Sequence, residues 1–403
     1  MANPTYIEDY EIFPYPPLVE LEEMLENATN ILTAQDGSEQ RISIRPAPRQ
    51  SFKFKAFIEG KGVQSKLDAL IFGWQKLFWG LPIWPEKEEH TDTITAGDNS
   101  ITMDTAYADY REDTLAIIWK SPTEFETVLI STVNDNSLGL ADSVVNTYTG
   151  AKLIMPCRLA QLISPVKTLQ ASYSQSIREF NFLVVDNILL TDHTADTEYT
   201  AVDSGSETLE VITIPGIIGR AEREISLGDL SVQDYLTGEF KYFSDSDYNI
   251  ITRQYHRRFT TKAACWNHRL WLHSLYGRQV ANWLPTFKDD LQFNETIEAP
   301  DTVIQVDDIE LTANMGLNDL RTQLAFIFSD GTDPIFREIE DISENTAGYD
   351  EITISSALGV EVAVGGCIIS YLDKCRRLSD QAKLKWITSN ECESKLNFVV
   401  VTE

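Results

Sequence analysis

Positive charge is the first thing this chain is short of. Across 403 residues, 33 Lys and Arg stand against 62 Asp and Glu, a formal net charge of −29. A phosphate backbone needs a basic footprint, so the balance excludes stable nucleic-acid binding as the main task. It also speaks against adhesion to anionic lipid. No run of about 18 or more apolar residues occurs, so no bilayer-spanning helix and no membrane anchor is expected. The first fifteen residues carry Glu8, Asp9 and Glu11 without a basic stretch or an apolar core, which does not read as a secretory signal. Cysteine is sparse as well. Cys157, Cys265, Cys367, Cys375 and Cys392 are odd in number and widely spaced. That pattern excludes a disulfide framework and fits buried thiols in a chain made in a reducing cytoplasm.

Chemical signatures are equally thin. There is no Gly-x-Ser-x-Gly elbow, no phosphate-cradling loop and no dinucleotide fingerprint. Cys265, His268 and His273 fall within nine residues. On a helix, however, 273 points away from the face shared by 265 and 268, and no further ligand completes a tetrahedron. The neighbouring acids Asp245/Asp247, Asp289/Asp290 and Asp307/Asp308 are what a chain with 62 acids produces without any site. Asn134-Asp135-Asn136 and Asp330-Gly331-Thr332-Asp333 lack the distal Glu of a calcium loop and read as turns. No catalytic residue, cofactor or metal is assigned, and enzymatic activity is not expected.

What the sequence does contain is an internal repeat. Leu81-Pro82-Ile83-Trp84 matches Leu284-Pro285-Thr286-Phe287, and the offset of 203 continues through Thr93–Ile101 against Thr296–Ile304. Eight of 25 aligned positions are identical, where chance gives about one or two. Further matches follow in order: Phe72-Gly73 with Tyr276-Gly277, Leu115–Trp119 with Leu324–Phe328, Cys157-Arg158 with Cys375-Arg376, and Phe180–Val185 with Leu396–Val401. Collinearity with a slowly drifting offset points to a duplicated domain with loop insertions.

The expected fold is mainly β (α+β): two tandem copies of a barrel- or sandwich-type domain, each with one main helix. Residues 1–39 read as an N-terminal arm, 40–187 as the first repeat, 188–249 as an acidic connector or small inserted β element, and 250–403 as the second repeat. Within the arm, Leu18, Leu21 and Leu25 among Glu20, Glu22 and Glu23 suggest a short helix, and the aromatic residues either clasp a neighbour or pack on their own domain. Each repeat opens on an extended Arg-bearing segment, 42–54 or 251–259, followed by a helix over 63–76 or 265–280. Strands are expected at 115–119, 127–133, 180–185, 209–214, 324–328, 351–355 and 396–401.

One cluster stands apart from the acidic background. Arg253, Arg257, Arg258, Arg269 and Arg278 lie among Trp271 and Trp283. Arg and Trp are interface anchors, so these seven residues are candidates for meeting carboxylates of another protein or of another copy. Arginines bridging their own domain's acids are the alternative.

The stretch Gly277-Arg278 through Trp283-Leu284-Pro285-Thr286-Phe287, with its partner Trp79-Gly80-Leu81-Pro82-Ile83-Trp84, resembles tail-tip and baseplate (distal tail-like) structural proteins of long-tailed bacteriophages. The Cys375-Arg376-Arg377-Leu378 and Cys157-Arg158-Leu159 segments share the resemblance. It implies a virion component made in the host cytoplasm, forming a ring that links the tail tube to hub, fibres or receptor-binding parts. A trimer of duplicated chains giving a pseudo-hexamer, or a hexamer, is the implied assembly, with DNA passing transiently through an acid-lined channel. The rival readings are a carbohydrate- or host-receptor-binding β protein, using Trp74, Trp79, Trp84 and Trp119 as stacking platforms, and a glycan hydrolase using paired acids.

Overall fold

The computed structural model describes residues 10–34, 38–74, 78–196, 198–203, 208–216, 223–226, 230–234, 236, 238, 240–244, 250–316, 321–345 and 348–401. It is mainly β. The first half runs β1 (Tyr10–Ile12), β2 (Pro17–Glu26), β3 (Thr29–Thr33), β4 (Glu39–Ser43), β5 (Arg49–Glu59), α1 (Lys61–Trp74), β6 (Phe78–Pro82), a 3-10 turn (Trp84–Glu86), β7 (Glu88–His90), β8 (Ser100–Thr102), β9 (Leu115–Ser121), β10 (Glu124–Asn134), β11 (Ser137–Leu140), β12 (Lys152–Leu162), β13 (Lys167–Ser172) and β14 (Gln175–Val184). The second half runs β15 (Tyr199–Asp203), β16 (Thr208–Ile212), β17 (Arg223–Ser226), β18 (Leu230–Asp234), β19 (Phe240–Ser244), β20 (Ile250–Phe259), α2 (Lys262–Ser274), β21 (Asn282–Pro285), β22 (Val303–Asp307), α3 (Leu311–Asn314), β23 (Gln323–Phe328), β24 (Ile335–Asn345), β25 (Tyr349–Ile354), β26 (Cys367–Arg377), β27 (Gln381–Thr388) and β28 (Glu391–Val400).

Local chemistry explains the principal elements. In β5, Phe52, Phe54, Ala56 and Ile58 are buried and their neighbours are not, the period-two pattern of a half-buried strand. Helix α2 starts where Thr261 accepts a hydrogen bond from the Ala264 N–H at 3.1 Å, an N-cap that satisfies an otherwise orphaned donor. Just beyond its end, Gly277 adopts φ +76°, and a Cβ there would lie 2.4 Å from Asp380 Oδ1 and 2.6 Å from Asn27 Cβ. Glycine is the residue that tolerates both demands.

Strand pairings recur between the halves. The antiparallel pairs β5·β14, β2·β5, β3·β4, β6·β12 and β9·β12 have counterparts β20·β28, β17·β20, β18·β19, β21·β26 and β23·β26. The same holds for β9·β10, β10·β11, β8·β11, β13·β14 and β12·β14 against β23·β24, β24·β25, β22·β25, β27·β28 and β26·β28. Even the parallel pair β1·β6 is matched, by β16·β21. Among the described residues, β7·β12, β15·β16 and β2·β27 have no counterpart. Turns recur too. Ile94 bridges Tyr148 as Ile297 bridges Val362, and Asp98 accepts from the Thr95 N–H at 2.7 Å as Asp301 does from Glu298 at 2.8 Å.

Several expectations need correction. Residues 17–26 form a strand, not a helix, because the buried positions are Leu21, Glu23 and Leu25, spaced by two. The 1–39 segment is therefore not an outlying arm over its described part: β1, β2 and β3 belong to the first half, as β16, β17 and β18 belong to the second. Residues 188–249 likewise hold the opening strands of the second half. Among the described residues, the strands do not close into a barrel. The Cys157/Cys375 match is also out of register. Leu81 faces Arg158 while Leu284 faces Asp373, and Ala160 faces Val184 while Cys375 faces Val400. Cys375 thus occupies the place of Ala160, three positions from the place the sequence match assigns it. All five cysteines are free and buried.

One core, including Phe13, Phe52, Phe182, Trp271, Leu384 and Trp386, runs through both halves. Each half adds a distal lobe with its own core, around Ile118 and Ile130 in one and Phe326 and Ile352 in the other.

Candidate assembly interface

The halves join along β2 and β27, antiparallel, with Leu21 opposite Trp386 and Leu25 opposite Ala382. Leu21, Leu25, Ala382, Leu384 and Trp386 are all buried here, and burying a large apolar side chain contributes about 1.5–3 kcal/mol. On the other face of the same strands, Lys383 pairs with Glu22 at 2.5 Å and Lys385 with Glu20 at 2.9 Å. Complementary strands, one acidic and one basic, set the register.

Beneath the ladder lies a buried charge cluster. Arg269 on α2 contacts Glu23 of β2 at 3.0 Å and Glu86 of the 3-10 turn at 2.5 Å. Trp386 Nε1 and Gln50 Nε2 donate to Glu23 at 2.8 and 2.7 Å. The Asp109 N–H donates to Glu86 at 2.6 Å, and Arg158 pairs with Asp109 at 2.9 Å. Burial works against the Arg269 charge, but Glu23 and Glu86 outweigh it and hold the guanidinium above its ordinary pKa. Asp109 is held well below the usual carboxylate range: burial opposes this, and Arg158 and Arg111 overcome it. At the junction's end, Arg278 donates to Thr29 O at 2.8 Å and pairs with Asp380 at 3.2 Å, while Asp380 accepts from the Thr29 N–H at 2.9 Å.

The seven sequence candidates separate cleanly. Arg269 and Arg278 serve the junction between halves. Arg253 instead pairs with Asp373 at 2.9 Å, and Arg257 with Glu198 at 2.7 Å, both inside the second half. Trp271 is fully buried and stacks on Tyr199 at 4.8 Å, and Trp283 is buried beside Val211. Neither they nor Arg269 are open to another chain, because the interior of this one already encloses them. Only Arg258 keeps a half-exposed side chain, paired with Glu391. Arginine bridging acids of its own chain is what the structure contains.

Other candidates resolve into separate roles. His268 bonds to Tyr199 OH at 2.6 Å, His273 accepts from the Leu190 N–H at 3.2 Å, and the Cys265 thiol meets Cys392. Asp290 accepts from the Tyr371 N–H at 3.1 Å, and Asp308 from the Glu310 N–H at 3.0 Å, which is turn and strand chemistry. Asp245 and Asp247 lie outside the described residues, as does the side chain of Trp74. Trp79 and Trp84 are buried, and Trp119 is half-buried with its Nε1 donating to Pro14 O at 2.9 Å. They form no open stacking platform. A cleft of ≈ 370 Å³ between Trp84, Trp119, Trp386, Pro16 and Pro85 marks the rim of the junction.

The exposed face of the sheet carries charges of both signs. Besides the β2·β27 pairs, Lys53 meets Glu179 at 3.3 Å. Among the described residues, no helix is long and apolar enough to cross a membrane. No protein-family model matches the chain, and no curated protein matches its sequence.

Proposed function

We propose that this chain is a non-enzymatic structural protein that assembles into a ring in the tail tip or baseplate of a long-tailed phage. The observation that carries the reading is the recurrence of strand pairings: one polypeptide supplies two units of like topology, already docked to each other through β2 and β27. Descent of the two halves from one duplicated unit is the simplest origin of that recurrence. A trimer of such chains presents six like units around an axis, matching a six-fold tube on one side and a three-fold tip on the other. Closed rings are built from heterologous contacts, and a chain whose two halves dock head to tail has made the first of them. The buried, salt-bridged junction suits a load-bearing part.

An acid-lined channel is not what the paired sheet face offers. If that face turns toward the axis, the lumen has mixed charge, which neither grips nor strongly repels a passing phosphate backbone. Negative-stain microscopy of the full chain, expressed alone, tests the reading. Rings with a central opening are expected; single particles of one chain's size at all concentrations would refute it.

A further inference from the structure

We propose that copies of this chain join by pairing β13 of one copy, antiparallel, with β17 of the next, in the register that β27 and β2 use within the chain. This rests on the ring reading above and assigns surfaces to it.

The pairing pattern identifies the surfaces. Strand β2 flanks β5 as β17 flanks β20, and β27 flanks β28 as β13 flanks β14. Within the chain, β2 uses its second edge to cover the second edge of β27. Among the described residues, β13 pairs only with β14 and β17 only with β20. Over the described residues, each chain therefore carries one copy of the joint closed and the two parts of that same joint open, one in each half. An open strand edge is a template for another strand, and proteins without a partner for it blunt such edges. The irregularity between Gln170 and Ser172 on β13 has its like between Trp386 and Thr388 on β27, which pairs with β2 all the same. Strand β13 is exposed over most of its length, Leu169 is 67% exposed, and Ile225 on β17 is 55% exposed.

Register follows from the same equivalences. Glu23 faces Phe52 as Arg223 faces Arg253, so Met24 and Glu224 are like positions. Thr168 faces Arg178 as Leu384 faces Ser394, so Lys167 and Lys383 are like positions. Met24 stands opposite Lys383. Transferred to the open joint, this sets Glu224 opposite Lys167 of the next copy, opposite charges face to face.

The helices give an independent sign. Ile58 and Phe259 are like positions, facing Ser176 and Cys392, and each helix begins three residues further on, so Gln64 and Leu67 are buried on α1 as Cys265 and His268 are on α2. Beyond that shared inner face they differ. Arg269 and His273 are 2% and 4% exposed because the first half covers them, whereas Phe72, which strand register sets against His273 and not against Tyr276 as the sequence match does, is 83% exposed. Asp68, the counterpart of Arg269, is 64% exposed at its side chain, where it pairs with Arg178. The buried couple Glu23 and Arg269 has Arg223 and Asp68 in its two places, the same pair with signs exchanged. A second copy of this chain is the occupant that fits the edge, the helix face and the charges together. Because the two open parts are different surfaces, the contact is heterologous and propagates until it closes.

The test uses the full chain with cysteines at Glu224 and Lys167 together, and at each alone. Facing residues on antiparallel strands lie about 4.5–5.5 Å apart at Cα, within disulfide reach. Mild oxidation is expected to link the double variant into covalent multimers on a non-reducing gel while the single variants stay unlinked. Alongside it, Glu224→Lys should weaken self-association at least tenfold by light scattering, and Glu224→Lys with Lys167→Glu should restore it, with circular dichroism confirming that each variant folds. A wild-type chain that forms rings, while the double-cysteine variant stays unlinked and Glu224→Lys assembles normally, overturns the strand assignment and leaves the ring reading intact. A wild-type chain that is a monomer overturns both.

Discussion

Arg269 on α2 and Glu23 on β2 belong to different halves of the chain, yet their charged atoms meet at 3.0 Å with both side chains almost wholly withdrawn from water. Removing one partner of a buried pair strands the other charge and destabilises by about 3–5 kcal/mol. Arg269 neutralises two carboxylates, Glu23 and Glu86, so Arg269→Met should lie at or above the top of that range. Guanidinium-chloride denaturation measures it. A loss below about 1 kcal/mol, within the range of surface pairs, would show that the junction does not depend on this contact.

Acid sensitivity should follow from two histidines. Burial pushes His273 down to about 3, with Arg269 adding to the effect, and burial pushes His268 well below its ordinary value of 6.5. Both are neutral in the folded chain, while the unfolded chain protonates them near pH 6.5. As pH falls below 6.5 the unfolded state takes up protons that the folded state refuses, so stability drops. Each histidine contributes a slope of about 1.4 kcal/mol per pH unit, for His273 down to about pH 3. His273→Gln should flatten the profile of unfolding free energy between pH 6 and 4 by that slope. An unchanged profile would mean that His273 is not held neutral.

Gly277→Ala should cost about 2–4 kcal/mol, combining a left-handed backbone with overpacking against Asp380 and Asn27. Gly365→Ala shares the positive φ, +80°, but has nothing within 4 Å of the added methyl, so about 1–2 kcal/mol is expected. Thermal melts of the two variants compare them directly. Equal shifts would remove the steric part of the explanation.

If the turns at Asp98 and Asp301 are equivalent, Asp98→Ala and Asp301→Ala should each cost about 0.5–1.5 kcal/mol, the net worth of one hydrogen bond. Hydrogen exchange of the Thr95 and Glu298 amides should quicken in the matching variant and in no other. Acceleration at one site only would show that the two turns are not held alike.

Much of this fold could be read in the sequence because apolar alternation survives in both halves. The strands around Leu115, Thr127, Phe180 and Leu396, and the two main helices, follow from spacing alone. What escaped was set by distant contacts. Glu23 looks like a solvent-facing acid next to Glu22, and its burial depends on Arg269, far along the chain. With Leu18, Leu21 and Leu25 spaced like a helix face, the strand was masked. The opening strands of the halves went unrecognised as counterparts because β2 lies inside a closed joint and β17 at an open edge. Their like positions carry different residues, as Glu23 and Arg223 do. The Cys-Arg match misled for a simpler reason: two buried strands of similar composition align equally well three residues apart, and only the pairing partners fix the register. The basic cluster points to carboxylates of another protein or copy, whereas its arginines pair with acids of this chain, which their spacing in sequence does not reveal. A usable signal for where the two halves meet is the alternation Glu20-x-Glu22 against Lys383-x-Lys385.

The most direct measurement is the native mass of the purified full-length chain at micromolar concentration. Three copies per particle, six like units around one axis, is the predicted result. A mass of one chain that persists as concentration rises would contradict it, since the open edges of β13 and β17 would then have no counterpart in a second copy.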